Sequence, residues 1–259
     1  MTLEYKQSKI HYTAEDQGEA LVFLHGFLEN STMWREIVAE INDKYRIVTI
    51  DLLGHGKTES VGYIHTMEEM AKAVKAVLDH LKITQVTMIG HSMGGYVSLA
   101  CVELFPELVS RLVLLNSTSY PDSEERKINR SRAINIVKKN PNAYTSMAIA
   151  NLFAEENRSK FDMAIDSIKN EASKTSLQGI ISALEGMKIR KDRREVLLNF
   201  DGLKIIFAGK KDPILNYDQR IEESKFCNTN LISFDGGHMT YIEDKDELLA
   251  ELSRFLQQN

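Results

Sequence analysis

Short apolar or β-branched runs alternate with longer stretches of helical periodicity along much of the chain. Leu21-Val22-Phe23-Leu24, Ile47-Val48-Thr49-Ile50 and Val86-Thr87-Met88-Ile89 come first, then Leu112-Val113-Leu114-Leu115 and Leu203-Lys204-Ile205-Ile206-Phe207. Runs with so little alternation suit strands buried on both faces. Between the second and third, Met67, Met70, Ala71, Val74, Val77, Leu78 and Leu81 recur at helical spacing. Thr66 with Glu69 predicts a capping box at the start of that helix. Strand–helix–strand alternation implies a mostly parallel sheet with helices on both faces. The opening, Leu3 to Ala14, alternates more strictly and ends at Asp16-Gln17-Gly18, which predicts a leading antiparallel hairpin. A long terminal helix is expected over Asp244 to Leu256.

The rhythm breaks between about Ser117 and Phe200. No convincing strand occurs there, but helical patterns do: Phe161, Ala164, Ile165 and Ile168, then Leu177, Ile180, Ile181, Leu184 and Met187. The stretch holds 15 Lys or Arg against 11 Asp or Glu, whereas the remainder holds 17 against 26. A helical insertion into an α/β core follows, with the core at 1–119 and 200–259 and the insertion at 120–199.

Composition narrows the function. At 259 residues the chain can bury one large core without disulfides. A net charge of −5 argues against nucleic acid, which needs a basic face. Cys101 and Cys227 are too few and too far apart for a disulfide framework or a Cys-pair metal site. The first twenty residues contain no continuous apolar run, and the longest apolar runs fall far short of the roughly 20 residues of a membrane span. The expectation is a cytoplasmic protein without membrane attachment.

The chemistry concentrates at Gly90-His91-Ser92-Met93-Gly94-Gly95, between an apolar strand and the helical Tyr96 to Phe105. A serine on so sharp a turn lifts its hydroxyl clear of the sheet edge, and side chains two positions either side would collide, hence glycine at both. A serine nucleophile needs a base. Of seven histidines, only His238 lies C-terminal to Ser92, in Phe234-Asp235-Gly236-Gly237-His238. The base needs a carboxylate to fix its tautomer. Asp212 ends the Leu203–Phe207 run and is preferred over Asp122 and Asp235. An oxyanion needs two donors: the Met93 N–H, and the Phe27 N–H in His25-Gly26-Phe27-Leu28. His25 is expected to brace its loop, and Asp51 to hold the turn Asp51-Leu52-Leu53-Gly54-His55-Gly56. The remaining histidines form no metal-like cluster. Trp34 is expected to pack under the Phe27 loop.

Five places together carry a resemblance: His25-Gly26-Phe27, Asp51-x-x-Gly54-His55-Gly56, Gly90-His91-Ser92-Met93-Gly94-Gly95, Gly209-x-x-Asp212 and Gly237-His238. With its order serine, aspartate, histidine, the sequence resembles the α/β-hydrolase family across nearly its whole length. The resemblance implies an eight-stranded sheet with only its second strand antiparallel, and a helical lid inserted after the sixth strand. Members with an aspartate nucleophile, the haloalkane dehalogenases and epoxide hydrolases, are disfavoured by Ser92. The motifs look most like small bacterial carboxylesterases and are similar also to the menaquinone-pathway lyase and cofactor-free haloperoxidases.

The expected activity is hydrolysis of a small to medium ester or thioester through an acyl-enzyme, without metal or organic cofactor. The small-molecule substrate would meet Met147 and Met187 in an apolar pocket. A lyase or carbon–carbon hydrolase acting on an acidic metabolite, held by Arg126, Arg130 or Arg132, is the alternative within the same machinery, and a non-catalytic ligand receptor is the alternative outside it. A homo-oligomer is compatible with all three.

Overall fold

The computed structural model describes residues 1–15, 17–41 and 45–258. Eight strands form one sheet: β1 (Thr2–Tyr5), β2 (Ser8–Ala14), β3 (Glu19–Leu24), β4 (Tyr45–Ile50), β5 (Val86–His91), β6 (Val109–Leu115), β7 (Leu203–Gly209) and β8 (Asn230–Phe234). Their spatial order is β1-β2-β4-β3-β5-β6-β7-β8. Only β2 opposes its neighbours, pairing antiparallel with β1 and β4; the remaining pairs are parallel. The C-terminal ends of β3 to β8 therefore share one edge, and the loops leaving it gather there.

The continuous apolar runs are explained by two cores, one on each face of the sheet. Val22, Leu24, Met88, Leu112, Leu114 and Ile206 point to one core. Leu21, Phe23, Ile89, Val113, Leu115 and Phe207 point to the other. Successive strand side chains face opposite ways, so a strand buried twice must be apolar at every position. The first face is covered by α2 (Met67–His80) and α3 (Met93–Leu104), after the short α1 (Arg35–Ala39). α3 is buried on nearly every side, which accounts for its lack of a polar stripe.

Between β6 and β7 lie α4 (Glu124–Lys139), α5 (Pro141–Ala150), α6 (Asp162–Ala172), α7 (Leu177–Lys188) and α8 (Arg194–Leu198). Ile134, Val137, Ile149, Ile180 and Leu184 of this insertion join the core of the first face. α9 (Tyr217–Phe226) links β7 to β8, and α10 (Thr240–Glu243) and α11 (Lys245–Leu256) close the chain. Leu248, Leu252 and Phe255 of α11 fill the second core. No helix among the described residues is long and apolar enough to cross a membrane.

Four local expectations shift. The leading hairpin turns at Lys6-Gln7, both at positive φ (49° and 64°), inside the alternating stretch. Asp16, in the expected turn, lies outside the described residues. The capping box is half formed: Thr66 Oγ accepts from Glu69 N–H at 3.1 Å, but the Glu69 carboxylate turns to Lys6 and Lys72. A cation on each side outcompetes one backbone N–H. The terminal helix begins at Lys245, because Asp244 breaks it from α10 with φ −131°. Trp34 packs against Phe23 and Tyr241, ring centroids 5.2 and 6.2 Å away, below the sheet rather than under the Phe27 loop.

Candidate active site

Ser92 sits between β5 and α3 with φ 49° and ψ −113°, a left-handed conformation that costs an L-residue about 1–3 kcal/mol. The glycines beside it explain how the turn fits. A Cβ on Gly90 would lie 2.6 Å from the Gly94 backbone, and one on Gly94 would lie 2.2 Å from the Leu24 carbonyl oxygen. The turn is held from the next strand end as well, where Ser117 Oγ donates to the Ser92 carbonyl at 2.7 Å.

Three side chains from distant parts of the sequence meet at this edge. Ser92 Oγ lies 2.8 Å from His238 Nε2, and His238 Nδ1 lies 2.7 Å from Asp212 Oδ2. A carboxylate can only accept, so the His238 proton belongs on Nδ1 and Nε2 is left to accept from the serine hydroxyl. Asp212 is saturated: Oδ1 accepts from the Ile214 and Leu215 N–H groups at 2.8 and 2.9 Å, and Oδ2 also from Asn116 Nδ2 at 3.3 Å. Burial pushes its carboxyl upward, but the electrostatic pull of the adjoining His238 ring and these hydrogen bonds outweigh burial and hold it below the usual carboxylate range.

The two rival carboxylates are otherwise engaged. Asp122 is bound by Arg126, Arg130 and Arg190. Asp235 is exposed and pairs with Lys210 at 2.7 Å.

The loop after β3 is braced by its histidine. Leu52 N–H donates to His25 Nε2 at 2.8 Å, so Nδ1 carries the proton and donates to the Gly26 carbonyl at 2.7 Å. Burial drives the His25 pKa down, and the ring stays neutral. Asp51 holds the adjoining turn through the Ser31 and Lys57 N–H groups at 2.7 and 2.9 Å. Gly56 (φ 55°) is obligatory there, since its Cβ would lie 2.3 Å from Asp51 Oδ2. Among the described residues neither the Phe27 nor the Met93 N–H has a protein acceptor. Met93 opens α3, where a helix leaves its first N–H groups free and carries a positive dipole end.

Behind the serine lies a network that the sequence did not reveal. Glu29 accepts from the Gly26 N–H, from His91 and from Tyr241 OH, each at 2.8 Å. His91 Nε2 donates to the His238 carbonyl at 3.0 Å. With acceptors on both ring nitrogens, His91 is an imidazolium paired with the Glu29 carboxylate. Burial opposes charge on each, but the His91 charge holds Glu29 low and the Glu29 charge holds His91 high. The His238 loop is pinned from the inserted helices as well: its N–H donates to the Leu152 carbonyl at 2.9 Å. Glu243 bonds Gly237 N–H at 3.0 Å and Ala154 N–H at 3.1 Å. Asn116, Ser117, Glu29 and Glu243 belong to no spacing motif; only the chain-order position of the first two, at the end of β6, pointed toward this edge.

A cavity of about 290 Å³ opens at Ser92 and His238. Phe27, Tyr96, Tyr144, Ile149, Leu152 and Met187 give it largely apolar walls. Met147 reaches it from a half-exposed position, while Arg126 and Arg130 line one side. The expected pocket residues thus share one cavity with the serine. Arg132 does not line it and bonds Asn129 instead, at 3.2 Å. No group of three His, Cys, Asp or Glu among the described residues could hold a metal ion.

A mostly parallel eight-stranded sheet, one antiparallel strand near its edge and a serine on a strained strand-to-helix turn define an enzyme of the α/β-hydrolase class. Residues 19–245 match the family described as the alpha/beta hydrolase fold, and the chain belongs to that family. Among curated relatives it is similar to an uncharacterized hydrolase, YugF, of Bacillus subtilis, 41% identical over 39% of this chain and 38% of that protein. The first curated relatives are matched over well under half of their own length. The fold is shared with a thermophilic esterase of Thermogutta terrifontis, at TM-score 0.90 and 24% identity, covering 99% of this chain and 96% of that one. It is shared also with the enol-lactonase of Burkholderia xenovorans, at TM-score 0.91 and 20% identity over the full length of both.

Proposed function

We propose that this chain is a serine hydrolase of small to medium carboxylic esters, with Ser92, His238 and Asp212 as its catalytic triad. One observation carries the reading: hydroxyl, imidazole and carboxylate form an unbroken hydrogen-bonded chain of 2.8 and 2.7 Å, and its serine and histidine line a mostly apolar cavity. Ser92 Oγ attacks the ester carbonyl as its proton passes to His238 Nε2. Asp212 stabilises the imidazolium, and the Phe27 and Met93 N–H groups hold the oxyanion. The tetrahedral intermediate collapses, the C–O bond to the alcohol breaks, and His238 returns the proton to the leaving oxygen. Water, deprotonated by the same Nε2, then attacks the acyl-enzyme and releases the acid. Helices of the 120–199 insertion act as a lid that walls the acyl pocket and excludes water from it. The esterase and enol-lactonase among the fold's neighbours agree with ester chemistry.

A fluorophosphonate should label the wild-type protein covalently at Ser92, and Ser92→Ala should lose both labelling and turnover of a 4-nitrophenyl ester. The fall in kcat should be about 10⁴-fold or more. Sustained ester turnover by Ser92→Ala or His238→Ala would falsify the triad assignment.

A further inference from the structure

One wall of the cavity does not match the rest. Asp122 is fully buried, and three guanidinium groups converge on it. Arg190 is buried, stacks 4.2 Å from the Tyr96 ring and also donates to the Tyr120 carbonyl at 3.2 Å. Arg126 Nε reaches Asp122 at 3.3 Å, and its Nη1 donates to the Ile214 carbonyl at 2.6 Å. Arg130 holds Asp122 through Nε and Nη2. One carboxylate therefore faces three cations, and among the described residues no other carboxylate bonds to them. Among the described residues Arg126 Nη2 and Arg130 Nη1 have no protein acceptor, yet neither is sealed away, and both residues line the cavity that holds Ser92 and His238.

A surplus of positive charge gathered in a partly buried cleft favours an anion there. A guanidinium pair with free terminal N–H groups matches a carboxylate in geometry and charge. Asp122 and the Ile214 carbonyl orient the two arginines beforehand, so little side-chain entropy is lost when a ligand arrives. The same cavity is also lined by the largely apolar Tyr144, Ile149 and Met187. We infer that the natural substrate is an ester whose acyl chain ends in a free carboxylate, seated on Arg126 and Arg130 while its carbonyl lies at Ser92. The inference rests on the proposed esterase reading and names its substrate class.

Two measurements separate it from that reading. The first compares kcat/KM for 4-nitrophenyl hemiesters of succinate, glutarate and adipate with the corresponding neutral butyrate, valerate and hexanoate esters. At least one hemiester should be favoured by about tenfold or more, and Arg126→Gln and Arg130→Gln should each collapse that ratio. Lys138→Gln, on the exposed face of α4, should leave it unchanged. The second is calorimetric binding of monomethyl glutarate and monomethyl adipate to Ser92→Ala, which reads the subsite without turnover. Binding should weaken about tenfold in Arg126→Gln or Arg130→Gln and be restored in part by Arg130→Lys, with thermal unfolding confirming that each variant is folded. Equal ratios for charged and neutral esters, with no arginine-dependent binding, overturn the inference while leaving the esterase reading intact. Arginine-dependent binding to a protein that turns over no ester supports the subsite and overturns the esterase reading instead.

Discussion

Ser92 is held in a conformation that its own side chain disfavours, so the surrounding residues must fix it. The Ser117 hydroxyl on its carbonyl and the bare glycines at 90 and 94 do this. Asp212 is equally constrained, with four donors on one carboxylate. Asp212→Asn should keep the geometry but permit the wrong imidazole tautomer, lowering kcat by about 10⁴-fold in steady-state assays of a neutral ester. The Glu29–His91 pair is buried, and removing one partner leaves an uncompensated charge. Glu29→Gln should cost about 3–5 kcal/mol in denaturant titrations. The double variant with His91→Gln should recover part of that loss, because no lone charge remains; full additivity would show that the two do not interact.

At the level of elements, the approach of α3 to the sheet decides whether the serine is presented at all. Gly94 lies against the end of β3, with room for hydrogen but not for carbon. Gly94→Ala should push α3 from β3, costing about 1–3 kcal/mol in stability, and move the turn that carries Ser92. Fluorophosphonate labelling should slow by more than the loss of folded protein explains. The helices between β6 and β7 join the apolar core of the first face and are tied to it by charge as well: buried Arg193 bridges Glu68 of α2 and Glu103 of α3, at 2.6 and 2.8 Å. One member of the segment's basic surplus, which in sequence read as no more than a solvated face, is thereby an internal tie.

Across the whole molecule, buried histidines set the response to acid. Burial drives the pKa of His55 down to about 3 and that of His65 to about 4. In the unfolded chain both bind a proton near pH 6.5, so the stability they permit is complete above that value and is lost as pH falls toward 4. By pH 5 the loss should reach about 2 kcal/mol for each ring. His91 runs the other way: its raised pKa contributes fully below 6.5 and fades only as pH rises, so it adds no slope in this window. Denaturation midpoints at pH 6.5, 5.5 and 5 would show the decline, and a flat profile would mean that these rings are solvated in the folded protein.

The strands, the glycine-flanked serine and the order of serine, aspartate and histidine were legible without coordinates, because they depend on local requirements. A strand buried on both faces must be apolar throughout, and a turn that strains its central residue excludes side chains beside it. Phe23 and Leu24 read alike in sequence yet face separate cores. Chain order already favoured Asp212 over Asp122, but that Asp122 is held by three arginines, the furthest of them 68 positions along the chain, was not legible. Glu29 and Glu243, which tie the serine and histidine loops to distant segments, obey no spacing rule. Hydrogen bonds of that kind depend on distances in space, and separation along the chain carries no record of those distances until it has folded.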